Sequence, residues 1–164
     1  MNRPLLIVIA VLVLFSAFFS SAETAFSSLN KVRLKSSETD ENKKKIEKTL
    51  VLAENYDMVL STILIGNNIV NIAASSIATL FFTGVLGDNS DLAATVSTIV
   101  MTVVVLIFGE ITPKTMAKER AEKFAVFVTP AIRVFVFVLY PLKSAVRGWK
   151  KLLSKIFKLD GDTA

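Results

Sequence analysis

The stretch FFSSAETAFSS, Phe18–Ser28, closes the first apolar run of the chain. Two readings compete for it. Arg3, the apolar run Leu5–Phe19 and the small residues Ser20-Ser21-Ala22 have the form of a secretory signal peptide and its cleavage site. The same residues also describe a transmembrane helix that turns polar inside the bilayer. The rest of the chain decides between them. Further long apolar blocks follow at Met58–Val85, Leu92–Thr112 and Phe124–Leu142, so the chain is membranous whatever becomes of its first segment. Pro4–Ser28 is therefore read as a first span with a polar half toward the cytoplasm.

Composition narrows the chemistry. The 164 residues are 52% hydrophobic, carry a net charge of +5 and contain neither Cys nor His. Disulfide frameworks, thiolate or imidazole metal sites and Ser-His or Cys-His catalysis are excluded. A metal site in this chain must use oxygen ligands, which suit hard cations such as Mg²⁺ or Ca²⁺. The Lys and Arg residues flank apolar blocks, so membrane lipid is the expected partner and nucleic acid is not. No nucleophile–base pair is visible, and no enzyme activity is expected.

The expected fold is an all-α membrane protein with three transmembrane helices, at about 4–28, 58–85 and 92–112. A belt of juxtamembrane amphipathic helices is expected at about 30–57 and 114–158, so that 1–164 forms a single transmembrane domain. Within the belt, Ile46, Leu50, Ala53 and Met58 fall near helical spacing, and Ser36–Asn42 reads as a solvated loop. The Asn30–Asp57 and Pro113–Lys123 stretches are basic, whereas Gly87–Asp91 has two acids and no base. The positive-inside bias then puts the N-terminus outside and the C-terminus in the cytoplasm. The fourth block carries Arg133 at its middle, and an Arg there costs about 2.5–3.5 kcal/mol on insertion scales. Phe124–Leu142 is accordingly expected to lie as a kinked juxtamembrane helix, continued by VRGWKKLLSKIFK, and not to cross. The tail LDGDTA reads as a truncation edge or a linker.

Three motifs put polar groups at membrane depth, where they are expensive and mark function. The first, FFSSAETA, holds Ser20, Ser21, Glu23 and Thr24. The second, GNNIVNIAASS, places Asn67 and Asn71 on one helix face. These amides serve equally to bridge helices or to ligate a cation. The third, FGEITPKTMA, puts the Glu110 carboxylate next to Gly109, whose carbonyl loses its α-helical donor at Pro113. A plain proline kink with Glu110 paired to Lys114 is the competing account. Together the motifs offer an all-oxygen donor set, with Ser20, Asn67, Asn71, the Gly109 carbonyl and Glu110 drawn from three spans.

FFSSAETAFSSLNKVRLK, GNNIVNIAAS and FGEITPKTMA together resemble the transmembrane domain of the CNNM/CorC family of magnesium transporters. The resemblance covers essentially the whole chain. It implies three spans, a juxtamembrane belt, a homodimer in the plasma membrane and Mg²⁺ export coupled to Na⁺ entry by alternating access. By motif position the Mg²⁺ ligands would be Ser20, Asn67, Asn71 and Glu110 with backbone oxygen near Gly109. Glu23, Ser21 and Thr24 are candidates for a Na⁺ site or its cavity. Ser21 stands where the family pattern has Gly, which bears on local backbone shape. Family members carry cytoplasmic CBS-pair domains after the membrane part; these 164 residues hold none, and nucleotide regulation through them is not expected of this chain. The alternative is a membrane Mg²⁺ sensor or scaffold that regulates another transporter without carrying ions itself.

Overall fold

A computed structural model describes residues 2–161, with side chains through Lys158. The described residues form helices joined by short turns, and no strand occurs among them. In chain order the helices are α1 (Arg3–Ser28), α2 (Lys31–Ser36), α3 (Lys43–Glu54), α4 (Tyr56–Leu86), α5 (Ser90–Val104), a π-helical segment (Val105–Ile111), α6 (Thr112–Glu119), α7 (Ala121–Val138) and α8 (Tyr140–Gly161). Three rods are long and apolar enough to cross a membrane: Arg3–Ser28, Tyr56–Leu86 and the continuous Ser90–Glu119. At 1.5 Å per residue, the 26 residues of α1 reach about 39 Å, beyond the ~30 Å hydrocarbon core. Ile7, Leu14, Ile72, Ile99, Phe108 and Ile111 stand exposed on the outside of these rods. Such a surface is stable against lipid or a partner helix and not against water.

Close approaches set the register. A Cβ at Gly84 would lie 3.3 Å from the Asn2 side chain, and one at Gly66 would lie 2.5 Å from the Phe19 ring. Numbers rise on α1 as they fall on α4, so these two helices are antiparallel. The third span runs parallel to α1, since Gly109 lies against Ser16 and Lys114 reaches Glu23. Gly87, at φ +75°, closes α4 in a conformation that only glycine adopts freely, and the Asn89 side chain caps α5 by accepting the Leu92 N–H at 3.1 Å.

The third span differs from expectation. It does not end at Thr112 or break at Pro113 but continues to Glu119. Val105–Ile111 winds as a π-helix, in which the Thr112 N–H bonds the Ile107 carbonyl five residues back. The wider turn accommodates the proline, and Pro113 then sits in the first turn of α6, where a missing N–H costs little. The donor that proline lacks falls where the π segment hands over to α6, and the carbonyls within its reach are those of Phe108 and Gly109.

The 30–57 belt resolves into two helices. Asn30 caps α2 by accepting the Arg33 N–H at 3.0 Å, and the Thr39 N–H to Asn42 Oδ1 contact at 2.6 Å closes the turn between α2 and α3. That turn occupies the segment read as a loop, starting one residue later. α3 buries Ile46, Thr49, Leu52 and Ala53, so Thr49 and Leu52 face inward in place of Leu50.

α7 lays one stripe on the bundle: Ala121, Ala125, Val128, Thr129 and Ile132. Phe135 packs against Phe15, Phe18 and Phe19 with ring centroids 4.9–6.3 Å apart, so α7 leans in as far as the middle of α1. Arg133 stays on the exposed side. α7 and α8 meet at 64°, and α8 returns to the end of the bundle where α4 begins, with Lys143, Arg147 and Lys150 beside Asp57 and Ser61. α8 continues through Leu159–Gly161, so these three residues belong to a helix and not to a linker; the rest of the LDGDTA tail lies outside the described residues.

Thr49 and Thr129 lock α3 to α7 through hydroxyls 2.9 Å apart, both buried. A double-mutant cycle with Thr49→Val and Thr129→Val is expected to give a coupling of ~1 kcal/mol in thermal unfolding. Strictly additive losses would mean the pair does not interact.

Candidate cation site

The polar residues gather where α1, α4 and the π segment cross. Ser16 is fully buried, and its Oγ donates to Asn67 Oδ1 at 3.3 Å. A Cβ on Gly109 would come within 2.8 Å of the same Oγ, so only a glycine lets the π segment close on α1 here. Ser16, Asn67 and Gly109 thus form one layer across three spans.

Ser16 was not among the residues expected at the site. It is a lone serine in an apolar run, and such serines usually bond back to their own helix. The available signal was its i,i+4 spacing to Ser20, which puts both hydroxyls on one face.

Ser20 and Asn71 lie one turn to either side of this layer. Ser20 is fully buried and its Oγ has no hydrogen-bond partner; Asn71 Oδ1 is likewise buried and unpartnered. An unmet polar atom of this kind costs ~1–3 kcal/mol. Helical side chains tilt toward their own N-terminus. Because α1 and α4 are antiparallel, Ser20 and Asn71 both lean back toward the Ser16–Asn67 layer from opposite sides. Their backbones are nevertheless about two turns apart in depth, ~12 Å.

Asn71 also lines a cleft of about 390 Å³ between α4 and α5, with Ser75, Thr79, Ser97, Thr98 and Thr102. Thr79, Thr98 and Thr102 each donate to a carbonyl of their own helix, at 3.0, 2.8 and 2.6 Å. Their remaining lone pairs make the cleft a wall of acceptors. Of the expected ligands, only Asn71 lines one of the four best-defined clefts, and none of those joins Ser20, Asn71 and Glu110.

Glu110 follows Gly109 on the π segment and is half-buried, with neither a hydrogen bond nor an ion pair among the described residues. The competing account paired it with Lys114. Instead Lys114 Nζ lies 3.6 Å from Glu23 Oε2, tying α6 to α1. Glu23, one of the candidate Na⁺ residues, is therefore already engaged. Ser21 donates to the Ala17 carbonyl at 2.7 Å and turns away from the Ser16–Ser20 face. Thr24 lies one turn beyond Ser20, half-buried. Among the described residues no group of three or more His, Cys, Asp or Glu side chains converges. A cation at this crossing would be held by hydroxyl, amide and carbonyl oxygens together with the Glu110 carboxylate. That donor set suits a hard ion and leaves its charge partly uncompensated.

Three apolar rods with a layer of polar side chains between them define a helical multi-pass membrane domain. The family model for the cyclin M transmembrane N-terminal domain matches residues 7–164, and the chain belongs to this CNNM family. Relatives include a UPF0053 protein of Haemophilus influenzae, 39% identical over 96% of this chain and 37% of its own length. The UPF0053 inner membrane protein YfjD of Escherichia coli K12 is 35% identical over 90% of this chain and 33% of its own. A chloroplastic DUF21 domain-containing protein of Arabidopsis thaliana is 34% identical over 94% of this chain and 23% of its own. The chain thus spans between 23% and 37% of these relatives' length.

Proposed function

We propose that this chain is the membrane domain of a Mg²⁺ transporter that exports Mg²⁺ in exchange for Na⁺ by alternating access. The observation that carries the reading is the pair of buried, unpartnered oxygens, Ser20 Oγ and Asn71 Oδ1, on two antiparallel helices on either side of the Ser16–Asn67–Gly109 layer. Their cost is offset if a cation accepts them as ligands. Mg²⁺ asks for about six oxygens at 2.0–2.1 Å in octahedral order and gives up water reluctantly. Donors two turns apart cannot all enter one such shell. A partly hydrated ion bridges them, or α1 slides along α4 and closes them on a dehydrated one. The second alternative is a motion of the kind alternating access requires, with the site fixed at the crossing of broken or irregular helices. The donors are Ser20, Asn67, Asn71, the Gly109 carbonyl and Glu110, with Ser16 added. Thr24, Ser21, whose hydroxyl keeps its lone pairs while it donates to Ala17, and the hydroxyls near the crossing are the places left for Na⁺, since Glu23 is paired.

In this reading the chain works as a homodimer in the plasma membrane, with its N-terminus outside and its C-terminus cytoplasmic. The longer protein carries CBS-pair domains after it. The test is Mg²⁺ flux from proteoliposomes of the purified chain. Efflux that rises several-fold when a Na⁺ gradient opposes it, and collapses without one, is expected. Mg²⁺ binding without flux, in either gradient, would favour the sensor or scaffold reading instead.

A further inference from the structure

α8 carries a second polar feature, remote from the cation site. Lys143 is only 6% exposed, and its Nζ has no hydrogen-bond partner. It lines a cleft of about 210 Å³ between α8 and the start of α4, with Arg147 and Lys150 from its own helix and Asp57, Met58, Ser61 and Ile65 from α4. Positions 143, 147 and 150 share one face of α8. Asp57 is the cleft's one carboxylate, and it forms no ion pair with Lys143 among the described residues. The Ser61 hydroxyl is spent on the Asp57 carbonyl at 2.8 Å. Three cations therefore face one acid, and one of the cations is buried without an anion. Burial, with Arg147 nearby, pulls the Lys143 ammonium below the usual lysine range. A native chain does not keep a desolvated cation so placed without a counter-charge.

We infer that the cleft between α8 and the start of α4 binds a phosphate group through Lys143, Arg147 and Lys150. A phosphate offers several acceptor oxygens to one ammonium and a planar guanidinium fork at once, which a single carboxylate does not. The site's position favours a lipid headgroup as the source. Met58 and Ile65 continue from the cleft into the second span, and Val146, Trp149 and Ile156 form an exposed apolar stripe on α8 that fits an acyl boundary. The inference does not depend on what the cation site carries.

The experiment titrates the purified chain in detergent with dioctanoyl phosphatidic acid and, separately, with inorganic phosphate. Trp149, the single tryptophan, reports binding by its fluorescence. Saturable binding is expected, weakened at least tenfold in Lys143→Met and in Arg147→Gln. The charge-matched control Lys155→Gln, about a third of a turn round the same helix, should bind within twofold of the parent. Lipid binding tenfold tighter than inorganic phosphate identifies the headgroup as ligand, and equal affinities identify free phosphate. Either result supports the site. If Lys143→Met fails to fold, Arg147→Gln alone decides. Titrations of Arg147→Gln and Lys155→Gln that coincide, whether both weakened or both unchanged, would overturn the proposal.

Discussion

Glu110→Ala is expected to weaken Mg²⁺ binding at least a hundredfold in calorimetric titration while leaving the helices folded. The reason lies in what else is available at the crossing. Ser16, Ser20, Asn67 and Asn71 contribute neutral dipoles, Glu23 is engaged by Lys114, and among the described residues no group of three or more His, Cys, Asp or Glu side chains surrounds Glu110. Removing the one anionic donor from a divalent ion is worth roughly 3 kcal/mol, or two powers of ten in affinity. The cost to the fold is small by the same observations, because among the described residues Glu110 makes no hydrogen bond or ion pair that its loss would break. The unfolding temperature without Mg²⁺ should stay within about 4 °C of the parent, the shift of a ~1 kcal/mol change in a chain of this size. Asn71→Ala should also weaken binding, by about tenfold for one neutral ligand. Glu23→Ala should behave in the opposite way, losing the α1–α6 ion pair and keeping Mg²⁺ affinity within a few-fold. Parental affinity in Glu110→Ala would remove this site assignment.

The order of these effects follows from features of unequal legibility. The spans were plain, because runs such as Leu5–Phe19 leave no polar face for water and their length matches a bilayer. Arg133 and the six bases of Lys143–Lys158, all costly to carry across, argue against a fourth crossing but do not name the start of α4 as the neighbour of α8. The handling of Pro113 was not legible. A missing N–H is compatible with a kink, a break or a π turn, and the choice depends on how closely Gly109 can approach Ser16, a contact ninety residues away. Depth was hidden for a similar reason. Asn67 and Asn71 share a face by spacing alone, but which of them meets Ser16 and which faces α5 is set by the register of α1 against α4. Ser16 offered only its i,i+4 spacing to Ser20 as a signal, and its meeting with Asn67 is set by that register.

Gly66→Leu is expected to be among the most destabilising single changes in the chain, and it bears on the same register. At Gly66 the α4 backbone lies against the Phe19 ring, and a Cβ alone would meet that ring at 2.5–3.0 Å. The ring cannot swing clear. Phe19 is 1% exposed and is held between Phe18 and Phe135 at centroid distances of 5.3 and 4.9 Å. Small residues at such crossings let helix backbones approach without the help of a hydrophobic effect, which is weak between helices in lipid. A leucine must therefore push α4 off α1, at ~3 kcal/mol, the upper end of overpacking costs. For this chain length that corresponds to a fall of roughly 6–12 °C in unfolding temperature. The displacement should reach the cation site as well, since Ser16 and Asn67 meet within one turn of Phe19 and Gly66. Mg²⁺ affinity is expected to fall along with stability, and Phe19→Ala on the Gly66→Leu background should restore part of both by making room for the leucine. A Gly66→Leu chain that melts like the parent would show that α1 and α4 do not pack at this crossing as described, and the donor layer built on their register would go with it.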